Sequence, residues 1–141
     1  MGKKMKNKNL GFTLIELMIT VVIVGIIAGW AITSYRGTVI KANRTDAKTK
    51  LLEVMQKQER YFSEKSTYTI NLTDIGFSSS SLPSDKSYYL ITATEIASGL
   101  TSGVILTATP QGKQADDNEC KNFILNSNGQ KTVSTASIKC W

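Results

Sequence analysis

The chain has 141 residues, a net charge of +6, two cysteines and no histidine. That length suits one domain plus a membrane segment. The missing histidine removes imidazole metal ligation and histidine-based acid–base catalysis. Four of the positive charges, Lys3, Lys4, Lys6 and Lys8, stand at the N-terminus, so the high pI is in part the property of a short tail and argues only weakly for nucleic acid.

After the lysines comes an apolar stretch from Leu10 to Tyr35, broken by a single charge at Glu16. A membrane helix needs about 20 apolar residues, so the stretch is long enough. A carboxylate within such a helix is unfavourable by about 2.5–3.5 kcal/mol at the bilayer centre and by less near the interface. Two accounts offset that cost. In the first, Thr13-x-x-Glu16 is a capping box, and the carboxylate also suits the positive end of the helix dipole. In the second, a cut after Gly11 exposes an α-amino group on Phe12, and Glu16 pairs with that amine in its own chain or a neighbouring one. An ion pair in lipid satisfies both charges and would set the register of a helical assembly. Lysines before the helix and a long polar segment after it place the N-terminus in the cytoplasm. The rest then lies in the periplasm or outside, where a Cys120–Cys140 disulfide is expected.

The lysine-rich leader, Gly11, and Phe12-Thr13-Leu14-Ile15-Glu16-Leu17-Met18-Ile19 closely resemble the class III signal of type IV prepilins. The resemblance covers the first quarter of the chain. It implies a leader of residues 1–11, cleavage between Gly11 and Phe12 by a prepilin peptidase, N-methylation of Phe12, and use of Glu16 in assembly. Gly25 and Gly29 form a GxxxG pair, which is either chance composition or a site of close helix packing. Pilins often carry a proline soon after this point, where the helix can loosen; here Thr33 stands in its place.

The helical pattern continues beyond residue 35. Apolar or small residues recur at Tyr35, Val39, Ala42, Ala47, Leu51, Val54, Met55 and Phe62, mostly three, four or seven apart, with charged residues between them. The spacing predicts one helix over about 13–64, apolar all round in its first half and along one stripe in its second. Residues 66–87, with Ser78 to Ser81, Gly76 and Pro83, read as an irregular connection. Strands are predicted at 88–94, 103–109, 122–126 and 130–133, with Pro110 ending the second and Asn128-Gly129 turning the chain before the fourth. Short connections between them argue for an antiparallel meander of about four strands covering the helix stripe, an α+β arrangement. The resemblance implies the same: a pilin head (residues 36–141) behind a membrane or fibre-core helix (residues 12–35).

No catalytic, cofactor or metal site is expected. Asp116-Asp117-Asn118-Glu119 lacks the spacing of a calcium loop and reads as a solvated acidic turn. For nucleic acid, Lys121, Lys131 and Lys139 fall on or near the expected disulfide loop beside Trp141. Such a basic patch with an aromatic residue could grip DNA or simply solubilise the surface. Gln58-Glu59-Arg60-Tyr61-Phe62, Ser66-Thr67-Tyr68-Thr69, Ala108-Thr109-Pro110-Gln111-Gly112 and Cys140-Trp141 resemble the minor pilins that include the PilE-type and ComP DNA-uptake pilins. The reading is therefore a non-enzymatic type IV pilin, a minor one. Its expected partners are other pilin subunits, the prepilin peptidase, the inner-membrane assembly machinery, lipid before assembly, and DNA as an alternative. A type II secretion pseudopilin shares the N-terminal signal, and a signal-anchored monomer would need Gly11 to remain uncut.

Overall fold

The computed structural model describes residues 11–137 and 139–141, with the backbone alone for 31–34. The leader lysines lie outside the described residues. One long helix, α1, runs Leu14–Lys65 and is followed by five strands, β1 (Leu82–Pro83), β2 (Tyr89–Glu95), β3 (Val104–Pro110), β4 (Phe123–Asn126) and β5 (Lys131–Val133). The described residues form two compact units that divide between Thr38 and Val39.

In the first unit, Gly11 to Thr13 precede the helix and Thr13 caps it. The Glu16 backbone N–H donates to Thr13 Oγ1 at 3.3 Å, and the Thr13 N–H donates back to Glu16 Oε2 at 3.4 Å. This reciprocal pair is the capping box expected from the sequence. The helix contains a stretch long and apolar enough to cross a membrane. The side chains from Phe12 through Ile27, and Trp30, are exposed on the isolated chain. Apolar surface of that extent, on side chains each stabilised by about 1.5–3 kcal/mol on full burial, requires lipid or other helices around it.

In the second unit, the remainder of α1 packs into one core with the sheet. Ala47, Leu51, Val54 and Met55 from the helix meet Tyr89, Ile91, Val104, Leu106, Ala108, Phe123 and Leu125 from the sheet. These sheet residues alternate along their strands, so one face of the pleat is buried. Every neighbouring pair is antiparallel, in the order β1-β2-β3-β4-β5. This is the expected meander with one strand more. β1 lies inside the segment read as irregular, where Leu82 pairs with Ile91 and Pro83 with Leu90. That segment also contains a short 3-10 helix, Leu72–Ile75, capped by the Asn71 side chain and closed by Gly76 at φ 87°, a conformation natural to glycine. Pro110 is the last residue of β3, opposite Tyr89, and the chain leaves the sheet after it.

The helix stripe differs from its apolar prediction. Tyr35 and Ala42 are exposed, whereas Arg44, Lys50 and Gln58 are buried. Each of these polar groups has a built partner. Gln58 exchanges two hydrogen bonds with the Thr69 backbone, at 2.6 and 3.2 Å. Lys50 Nζ reaches Glu53 and Asp85, both at 2.8 Å. Gln114, from the short 3-10 helix Gly112–Asp116 after β3, donates to the Ile40 carbonyl and to the Tyr89 hydroxyl, and accepts from Asn43. No buried side-chain nitrogen or oxygen among the described residues lacks a partner, as buried polar groups require.

Candidate functional sites

The N-terminal site is built from the residues that start the helix. Gly11, Phe12 and Thr13 are non-helical and exposed, with open space where a Gly11 side chain would stand. The Gly11–Phe12 bond therefore lies in an accessible segment immediately before α1. Glu16 is exposed one turn into the helix and, among the described residues, is held by long hydrogen bonds to Thr13, including one of 3.4 Å from the Thr13 hydroxyl. Bonds of that length are weak, which leaves the carboxylate free to take a better partner.

The second site surrounds the disulfide. Cys120 and Cys140 are bonded, with an S–S distance of 2.03 Å, and both are buried. Lys121 and Lys139 each follow or precede a bonded cysteine, and both are exposed. Lys121 has φ 50°, so the chain turns sharply there. Trp141 is half-buried; its indole N–H donates to the Thr132 carbonyl at 2.7 Å and its ring meets Phe123 edge-on at 5.6 Å. Lys131 reaches back over the Trp141 ring, 5.5 Å from its centroid. Of the expected surface residues, then, Lys131 and Trp141 are in contact, while Lys121 and Lys139 are tied to the same region through their cysteine neighbours.

Sequence reading missed Lys48, which joins this group from α1. Its ammonium stands over the Phe123 ring at 5.7 Å. Burial lowers its pKa, and the positive charges of Arg44 and Lys131 lower it further. The signal was present in the spacing: Lys41, Arg44 and Lys48 fall three and four residues apart, along one edge of the apolar stripe.

The acidic turn is solvated at Asp116, Asn118 and Glu119 but not at Asp117. Asp117 is 2% exposed and takes a two-pronged bond from Arg44, Nε to Oδ2 and Nη2 to Oδ1, each 2.8 Å. Its Oδ1 also accepts the Cys120 N–H at 3.2 Å. Glu119 bridges to Arg44 Nη2 at 2.8 Å. The bond to Asp117 pushes the Arg44 pKa upward, outweighing the opposing effect of burial, with Glu119 adding to it. The same hydrogen bond from Arg44 holds the Glu119 carboxyl below its ordinary pKa. These carboxylates are thus engaged in fastening the disulfide loop to the helix. Among the described residues no cluster of His, Cys, Asp and Glu could hold a metal ion.

Known proteins resemble the chain in both parts. The model of a family described as "Type IV minor pilin ComP, DNA uptake sequence receptor" matches residues 33–124. The "Prokaryotic N-terminal methylation motif" matches residues 6–32. The Type IV major pilin protein PilA of Myxococcus xanthus (strain DK1622) is 43% identical over 70 residues, which are 50% of this chain and 32% of that protein; the chain thus spans about a third of the relative's length. A solved type IV pilin from Shewanella oneidensis shares the fold, with TM-score 0.52 and 24% identity, over 72% of this chain and 97% of that one.

Proposed function

Because the chain belongs to the family of the type IV minor pilin ComP, we propose that it is made as an inner-membrane precursor and becomes a minor subunit of a pilus fibre. In this reading the N-terminus faces the cytoplasm and the head the periplasm. A prepilin peptidase removes residues 1–11, Phe12 is N-methylated, and the assembly machinery draws the subunit from lipid into a fibre of other pilins. The subunit is structural rather than catalytic. The observation that carries this is the union of an N-terminal methylation motif with an exposed apolar helix start in which Glu16 is only loosely capped. The new amine of Phe12, on a neighbouring subunit or the same one, is the stronger partner for that carboxylate.

Mass spectrometry of sheared fibres tests the reading. A peptide beginning at methylated Phe12, at low abundance beside another pilin, is expected. A protein confined to the membrane with Gly11 uncut would overturn it. Glu16→Val should leave membrane insertion intact and reduce the amount of subunit in fibres; unchanged amounts would remove Glu16 from assembly.

A second reading is DNA capture by the head. It is favoured by the ComP-type match over residues 33–124 and by the cations gathered at Phe123 and Trp141. Binding of duplex DNA that weakens steeply with salt is its expected signature.

A further inference from the structure

Lys48 and Lys131 differ from Arg44 and Lys50 in their partners, and share with Lys57, which lies 4.0 Å from the centroid of the Phe77 ring, a place over an aromatic ring. Arg44 and Lys50 each hold two carboxylates at 2.8 Å. For Lys48 and Lys131, no carboxylate lies within ion-pair distance among the described residues; each instead faces an aromatic ring, Phe123 and Trp141 respectively. The two rings touch at 5.6 Å, so the four side chains form one continuous row: cation, ring, ring, cation. The register explains the convergence. Lys131 pairs with Leu125, and Val133 with Phe123, so Lys131 lies on the sheet face that looks toward α1. The two lysines repel each other, and the half-buried Lys48 ammonium is held in a site that disfavours its charge.

A row of this kind is incomplete without an anion. Cation–ring contacts contribute about 0.5–1 kcal/mol at exposed sites, well short of what a charge-assisted bond to a phosphate oxygen supplies. The carboxylates nearby do not fill the role, since Asp117 and Glu119 are both bound to Arg44. We infer that Lys48 and Lys131, spaced by Phe123 and Trp141, form the phosphate-gripping contact of the head for nucleic acid. The inference rests on the DNA-capture reading and assigns its contact to the helix-β5 seam, not to Lys121 and Lys139 beside the disulfide. Duplex DNA presents a phosphate for every 1.7 Å or so of its axis, so each of the two cations can take a phosphate of its own. Contacts to phosphate carry no sequence information, so this row supplies grip and orientation, whatever part of the head reads bases.

The test is a salt titration of binding to a short fluorescent duplex of arbitrary sequence, using the full chain in detergent micelles. For direct phosphate contacts, the slope of log affinity against log salt should shrink by about 0.9 for each lysine removed. Lys48→Gln and Lys131→Gln should each give that change, alike for every duplex sequence, and Lys48→Arg should restore the wild-type slope. A merely structural lysine would weaken binding without moving the slope. Lys131 is exposed on an edge strand, so its variant remains informative if Lys48→Gln fails to fold. If wild-type protein shows no binding at low salt, the DNA-capture reading falls and the inference with it. If wild-type protein binds but the Lys48 and Lys131 variants keep the full slope, while Lys121→Gln and Lys139→Gln reduce it, the inference is overturned and DNA capture stands.

Discussion

Arg44 and Asp117, 73 residues apart in the chain, form a two-pronged ion pair with both prongs at 2.8 Å. Arg44 is 8% and Asp117 2% exposed, and Asp117 also holds the Cys120 N–H. The pair therefore connects the long helix to the start of the disulfide loop. Breaking a buried pair by deleting one partner leaves a charge without compensation, at a cost of about 3–5 kcal/mol. Asp117→Ala should approach that range in urea unfolding of the detergent-solubilised chain. Glu119 softens the loss, because it stays bound to Arg44. Arg44→Lys should also destabilise, since a lysine cannot reproduce the planar fork. Removing both charges together, as Arg44→Met with Asp117→Leu, should cost less than Asp117→Ala alone.

The Arg44–Glu119 contact adds a pH dependence of definite sign. Arg44 holds the Glu119 carboxyl below its ordinary value of 4.5. The folded state therefore binds fewer protons than the unfolded one as pH falls below about that value. The contribution is fully present above pH 4.5 and is lost as pH drops through the lowered folded pKa. Melting temperatures recorded from neutral pH down into the acid range should show a decline, and Glu119→Gln should make that decline shallower. Identical acid limbs for the two proteins would mean that the contact adds nothing in solution.

Much of the architecture was legible because it is local. Strand alternation at Tyr89, Ile91, Leu106 and Ala108 and the Asn128-Gly129 turn are properties of short windows, and so is the helix spacing of Ala47, Leu51, Val54 and Met55. What escaped depends on distant partners. β1 is two residues long and ends in a proline, so it has no pattern of its own and exists by pairing with Leu90 and Ile91. Arg44 is one of the charged residues between the stripe positions, and Asp117 reads as part of a solvated acidic turn; only the fold joins them. Lys48 was hidden for the same reason, since its aromatic partner Phe123 belongs to β4. The cysteines were readable as a pair from number and compartment, whereas the row of Lys48, Phe123, Trp141 and Lys131 needed the β4–β5 register.

The disulfide offers a separate test of how the C-terminal segment is held. Cys120 and Cys140 are 20 residues apart in sequence. In the chain-entropy account, closing such a loop stabilises by about 3 kcal/mol. Reduction in mild conditions should lower the melting temperature clearly, and Cys120→Ser with Cys140→Ser should match the reduced protein. Trp141 adjoins Cys140 and is packed on Phe123, so its fluorescence should report loosening before the sheet unfolds. No shift in melting on confirmed reduction would mean that the Arg44 anchor and the aromatic contacts suffice to hold the loop.

Gly103 tests packing without any charge. It is buried at the entry to β3, and a Cβ there would stand 2.6 Å from Ser127 Oγ and 2.9 Å from Ile96 Cδ1. The Ile96 methyl ends a flexible side chain and can move. Ser127 is less free, because its Oγ accepts the Val104 N–H at 3.2 Å and its own N–H donates to the Val104 carbonyl. Gly103→Ala must therefore displace a residue bonded twice to Val104, and overpacking of this kind costs about 1–3 kcal/mol. Ser127→Ala removes the obstructing oxygen at the expense of its hydrogen bonds. The alanine at 103 should then cost less in the Ser127→Ala background than in the wild type. Strictly additive losses in a double-mutant cycle would show that the strand shifts as a whole and that the Ser127 hydroxyl is not the obstacle.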